Sequence, residues 1–117
     1  MTSYKQGDVV LIEFPFTNSS GLKQRPALVV SPTSYNTREP DCVLVAISSR
    51  VPDTLNNESV LIKSDEITQS GLYKESIVII SKMFTMDSSK ITKKIGILNL
   101  SLKKNVLLKI CVFFSPS

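Results

Sequence analysis

The segment Lys23-Gln24-Arg25-Pro26 carries the most informative chemical group of this chain. It stands between two apolar runs, residues 9–14 upstream and residues 27–31 downstream. Proline fixes its own φ and biases Arg25 toward extended backbone. A guanidinium held at the mouth of a strand can grip a phosphate through two parallel hydrogen bonds. A hydroxyl ends another apolar run, where Ser48-Ser49-Arg50 follows residues 42–47. If the two runs are antiparallel neighbours, Arg25 and Ser48 meet at one edge of the sheet and flank one cleft. Ser19, Ser20, Lys23, Gln24 and Arg50 are then placed to line its rim. The structural alternative is a surface ion pair for Arg25 and a strand-end hydrogen bond for Ser48.

Absences narrow the chemistry. The chain has no histidine, so neither a Ser-His-Asp triad nor a paired-histidine ribonuclease site can be built. No GxxxxGK[ST] loop is present for a nucleotide phosphate. The acids are scattered, and adjacent Asp65-Glu66 cannot easily aim both carboxylates at one metal from extended backbone. Ser48-Ser49 has no obvious base beside it. Two cysteines without histidine do not make a zinc site. Cys42 and Cys111 each sit in an apolar string, which predicts two small buried hydrophobes rather than a disulfide. Neither metal nor cofactor is expected.

The elements that must position these groups follow from pattern. The 117 residues, 42% of them hydrophobic, suit one domain spanning residues 1–117 with a real core. No run approaches the roughly 20 apolar residues that span a bilayer. Met1-Thr2-Ser3-Tyr4-Lys5 lacks the apolar core of a signal peptide, and a cytoplasmic protein is the expectation. Strands are predicted at residues 9–14, 27–31, 42–47, 59–63 and 76–80, with a weaker one at 92–98. Residues 17–24 and 32–41 read as loops. Short strands punctuated by Gly, Pro, Asn and Asp predict a mainly β fold, a small antiparallel barrel or sandwich. Leu102, Val106, Leu107, Ile110, Phe113 and Phe114 recur at helical spacing, and Ser101 or Asn99 can cap that helix. Two lysines in its first turn oppose the helix dipole, so burial of the apolar stripe must hold it.

Charge is uneven along the chain. Residues 1–78 carry seven Lys or Arg and nine Asp or Glu; residues 79–117 carry seven lysines and one aspartate. A basic C-terminal third suits an anionic partner such as nucleic acid or an acidic peptide.

Gly7-Asp8-Val9-Val10, the stretch from Gln24 to Ser31, and Val45-Ala46-Ile47-Ser48 resemble the MazF/PemK family of toxins. Phe84-Thr85-Met86-Asp87, then Lys94-Ile95-Gly96 and the terminal helix, continue the likeness over essentially the whole chain. The resemblance implies a small SH3-like antiparallel β-barrel with a C-terminal α-helix, of the CcdB/PemK type, working as a homodimer. It implies a type II toxin: a metal-independent, sequence-specific endoribonuclease on single-stranded RNA, mostly mRNA. By position, Arg25 matches the family's catalytic arginine and Ser48 stands where members often carry a catalytic threonine. The expected RNA-contacting residues are Ser19, Ser20, Lys23 and Gln24, together with Ser49, Arg50 and Lys82. Two departures stand out. Some members have Gly-Ser-Glu-Gln in the first loop, where this chain has Asn18-Ser19-Ser20-Gly21 and no acid. Some have arginine where Phe84 stands. A MazE-like antitoxin with an acidic, flexible tail is the implied partner.

The implied reaction is attack of the RNA 2′-hydroxyl on the adjacent phosphorus. It leaves a 2′,3′-cyclic phosphate and a 5′-hydroxyl. It needs charge stabilisation, positioning and two proton transfers. A guanidinium holds its proton at neutral pH and is a poor base, which favours charge stabilisation for Arg25. Phe14, Phe16 and Tyr35 are candidate platforms for unstacked bases. Two rivals remain. A gyrase poison of the CcdB type acts through a C-terminal tryptophan, and this chain has none. A noncatalytic RNA- or protein-binding barrel would show the same arginine and loop.

Overall fold

Alternate residues of the central strands bury on opposite faces of one sheet. Val9, Leu28 and Val45 belong to one core cluster, and Val10, Ala27, Val29 and Leu44 to another. Burial on both faces is why these strands read as unbroken apolar runs rather than alternating ones. The computed structural model describes residues 3–14 and 23–117. Its strands are β1 (Asp8–Phe14), β2 (Lys23–Val29), β3 (Asp41–Ser48), β4 (Ser59–Ile62), β5 (Ser76–Asp87) and β6 (Ile91–Ile97). The helices are α1 (Thr33–Arg38) and α2 (Leu100–Phe113).

The strands form one antiparallel sheet in the order β4-β5-β3-β2-β1-β6. The mainly β class with a C-terminal helix is the expected one; the six-stranded sheet is not closed into a barrel, and β4 and β6 are its edges. Leu102 and Val106 of α2 close the first cluster over Val60 and Ile62 of β4 and Val78 and Ile80 of β5. Each such large side chain, fully buried, stabilises by about 1.5–3 kcal/mol as an upper estimate. The second cluster includes Ile12, Cys42 and Ile91, with Tyr4, Phe84 and Met86 packed against it.

β5 serves both clusters because its register breaks. Val45 pairs with Met83, but the next β3 residue, Ala46, pairs with Ile79. Residues 80–82 are the surplus, an irregular bulge of the kind that re-aims side chains.

Four expectations change. Residues 32–41 are not all loop: Thr33–Arg38 is a helix, too short for periodicity to reveal. Its Asn36 is buried, and Nδ2 donates to the carbonyls of Tyr4 (3.0 Å) and Ser31 (3.1 Å). Lys23 and Gln24 belong to β2, not to the preceding loop. Cys42 is buried as expected, but Cys111 is exposed on α2. The α2 stripe also ends early: Leu102 and Val106 are buried, whereas Phe113 and Phe114 are 43% and 64% exposed. The apolar period simply runs on past the edge of the core. Of the two proposed caps, Asn99 serves, its Oδ1 accepting from the Leu102 N–H at 2.8 Å.

Candidate active site

Proline 26 sets the geometry of the site. It pairs with Leu11 of β1, but it has no N–H to give. The β2–β3 ladder runs only through Ala27–Ala46, Leu28–Val45 and Val29–Leu44, starting one residue past the proline. Extending that register by two residues sets Arg25 across from Ser48. There the strands are no longer laddered, and a fork opens.

Two cavities meet at this fork. One, of about 490 Å³, is lined by Arg25 and Ser48 together with Ala46, Ile79, Met83 and Phe84, and Lys82 closes its rim. The other, of about 240 Å³, is also lined by Arg25 and Ser48. The two side chains therefore share one cleft, as the antiparallel arrangement predicts. Arg25 is half-buried, held by its strand while its charge reaches open space. The Ser48 Oγ accepts the Arg50 N–H at 3.1 Å. That bond orients the hydroxyl and leaves its proton for donation.

Most of the expected contact residues converge here. Lys23, Gln24, Ser49 and Arg50 line the second cavity. Lys82 reaches the first because it lies in the β5 bulge, between Ile79, which pairs with Ala46, and Met83, which pairs with Val45. Ser19, Ser20 and Phe16, like the side chain of Phe14, lie outside the described residues. Tyr35 lines neither cavity. Its hydroxyl donates to Asp41 Oδ1 at 2.8 Å, and the Arg38 guanidinium stands over its ring at 5.5 Å. The hydrogen bond to Asp41 raises its pKa, because ionisation would break that donation.

Sequence reasoning missed Tyr73 and Lys74, which line the second cavity beside Arg50. An aromatic residue next to a cation in the polar stretch Gly71–Glu75 was the available signal. It also misjudged the source of the positive charge. Lys23, Arg25, Arg50 and Lys74 line the second cavity and no acidic side chain joins them among the described residues. All four come from residues 1–78, the net-acidic part of the chain; the basic C-terminal third contributes only Lys82, to the first cavity. Topology rather than local composition concentrates the charge. Among the described residues no three His, Cys, Asp or Glu side chains converge as a metal site would require.

Fold and site together define a mainly β domain, capped by a helix, with a cationic fork at the open ends of two central strands. A family model described as PemK-like, MazF-like toxin of type II toxin-antitoxin system matches residues 5–114. The chain belongs to that family. The solved structure of MazE–MazF (Form-II) from Deinococcus radiodurans is similar with a TM-score of 0.76 at 19% identity, covering 100% of both chains. Mycobacterium tuberculosis toxin MazF-mt6 is similar with a TM-score of 0.72 at 17% identity, over 92% of this chain and 95% of that one. An endoribonuclease in complex with its cognate antitoxin, from Mycobacterial species, gives 0.70 at 14% identity over 100% and 99%. At such identities these likenesses speak for the fold. No curated protein matches the chain. No helix among the described residues is long and apolar enough to cross a membrane.

Proposed function

We propose that this toxin is a metal-independent endoribonuclease that cuts single-stranded RNA at the Arg25–Ser48 fork. The observation that carries the reading is a guanidinium and an oriented hydroxyl lining one cleft, with further cations around them and no acid among its described lining residues. A phosphodiester entering the fork meets Arg25, whose planar guanidinium can donate two parallel hydrogen bonds to non-bridging oxygens. Ser48 donates its hydroxyl proton to one of those oxygens. As the RNA 2′-hydroxyl attacks phosphorus, negative charge grows on these oxygens, and both donors strengthen with it. The P–O5′ bond breaks, leaving a 2′,3′-cyclic phosphate and a 5′-hydroxyl. Arg25 serves charge stabilisation and donates a hydrogen bond toward the leaving 5′-oxygen, which takes its proton from water. Water takes the 2′-hydroxyl proton, since a guanidinium is a poor base. Lys23, Arg50, Lys74 and Lys82 hold flanking phosphates and raise the local concentration of RNA.

The same cationic cleft suits the acidic tail of a MazE-like antitoxin lying over Arg25 and excluding RNA. The apolar side chains left exposed on α2 and just past its end, Leu108, Val112 and Phe114, support a homodimer.

Incubation of the purified protein with a long single-stranded RNA in EDTA tests the reading. Discrete fragments with 5′-hydroxyl ends are expected. Intact RNA with a mobility shift would replace the enzyme by a binder. Ser48→Ala should slow cleavage about a hundredfold, the usual cost of one oxyanion donor. Arg25→Lys keeps the charge but loses the fork, and near-wild-type turnover in that variant would refute the bidentate role.

A further inference from the structure

Tyr73 is 89% exposed, well above any other exposed large apolar or aromatic residue among the described ones. It lines the same cavity as Arg25 and Ser48. A single exposed aromatic is ordinary on a protein surface. Two features make this one different: cations line the same cavity, and the loop that carries it is held on both sides.

The loop that carries it is anchored on both sides. On the N-terminal side, Ser70 is buried; its Oγ donates to the Ile67 carbonyl at 2.7 Å and accepts the Leu72 N–H at 3.1 Å. Gly71, at φ +78°, presses its backbone on Ile95 so closely that a Cβ there would stand 2.1 Å from the Ile95 oxygen. Gly96 of β6 meets Gln69 and Ser70 in the same way, and the Ile97 N–H donates to the Gln69 carbonyl at 2.8 Å. Leu72 packs against the core. On the C-terminal side, buried Ser76 donates its Oγ to the Lys74 carbonyl at 3.1 Å. Tyr73 and Lys74 are thus the raised middle of a segment pinned at both ends. A rigid loop presents the ring at little entropic cost on binding.

We propose that Tyr73 is a stacking platform for an unpaired nucleobase next to the scissile phosphate, a specificity-determining contact of the RNA cleft. This rests on the nuclease reading above. The phosphate sits between Arg25 and Ser48, Lys74 meets the neighbouring phosphate, and the intervening base lies on the tyrosine ring. Every base has a π-face, so the contact tolerates all four, but purines offer the larger surface and are favoured at this position. A duplex cannot use the platform, because its bases are already stacked on one another; the contact therefore selects single strands.

The test begins by mapping one cut made by the wild-type protein in a long RNA. The ten or so nucleotides around it, a length within the usual single-strand site size, are then made as a 2′-O-methyl oligonucleotide that cannot be cleaved. The protein has three tyrosines and no tryptophan, so tyrosine fluorescence reports the contact directly. Wild type should bind with quenching. Tyr73→Phe should keep the affinity and lose most of the quench. Tyr73→Ala should weaken binding about 5- to 150-fold, the usual range for one stacked base, and raise KM more than it lowers kcat. Tyr73→Leu, apolar but not aromatic, should resemble Tyr73→Ala. Full affinity in Tyr73→Ala, with the RNA still cut, removes the stacking proposal alone. Failure of the wild type to cut any RNA removes the nuclease reading and this inference with it.

Discussion

Replacing Gly71 by alanine is the sharpest test of how this fold presents its cleft. At φ +78° the residue is left-handed, which costs an L-residue roughly 1–2 kcal/mol. The added Cβ would lie 2.1 Å from the Ile95 oxygen and 2.7 Å from its carbon, against the 3.4 Å at which ordinary contact begins. Both are backbone atoms of β6 and cannot swing aside, so the loop must move by more than 1 Å. That motion loosens the Ile97–Gln69 bond of 2.8 Å and the Leu72–Ser70 bond of 3.1 Å, about 1 kcal/mol for each bond lost. The whole cost is roughly 2–4 kcal/mol, or a melting temperature lower by about 10 °C in a domain of this size. Gly96→Ala strikes the same packing from the β6 side, its Cβ 2.3 Å from the Ser70 carbonyl carbon. Once one substitution has displaced the loop, the other meets less resistance. Urea denaturation of both single variants and the double variant should then show a double cost at least about 1 kcal/mol below the sum. Strict additivity, or a Gly71→Ala cost under about 0.5 kcal/mol, would refute the close-packed loop.

Asn99→Ala removes the side-chain acceptor for the Leu102 N–H and should lower stability by about 1 kcal/mol in the same denaturation assay. The two thiols should separate by rate of alkylation: Cys111 is exposed and Cys42 buried. Burial pushes the Cys42 pKa above its ordinary 9.0, so the folded state favours its neutral thiol. That contribution to stability is whole below about pH 9 and is lost as pH rises through the raised pKa. Native labelling of Cys42 should stay slow at pH 8; labelling as fast as that of Cys111 would contradict its burial.

Much of the fold was legible because the hydrophobic period reports burial. All six strands were located, most within a few residues, and the terminal helix with its Asn99 cap. Where burial and period part company, the reading failed. Phe113, Phe114 and Cys111 continue the helical apolar pattern beyond the core, and α1 is too short to show any period. Arg25, beside a proline, and Ser48 were legible as polar groups at the ends of apolar runs. Tyr73, in contrast, offered only the pairing of an aromatic with Lys74, and its place in the cleft depends on how the loop packs against β6.

The sequence by itself determined which groups are available: one well-placed arginine, a strand-end serine, no histidine, and apolar runs that must become two-sided strands. Only the tertiary structure decided what stands beside what. Pro26 ends the β2–β3 ladder and opens the fork, the β5 bulge carries Lys82 to it, and Gly71 and Gly96 pin the Tyr73 loop against β6. The physical reason is that burial is a one-residue property, readable from composition and period. A cleft is made by strand register and backbone contact between segments far apart in the chain, and these exist only once the sheet has formed.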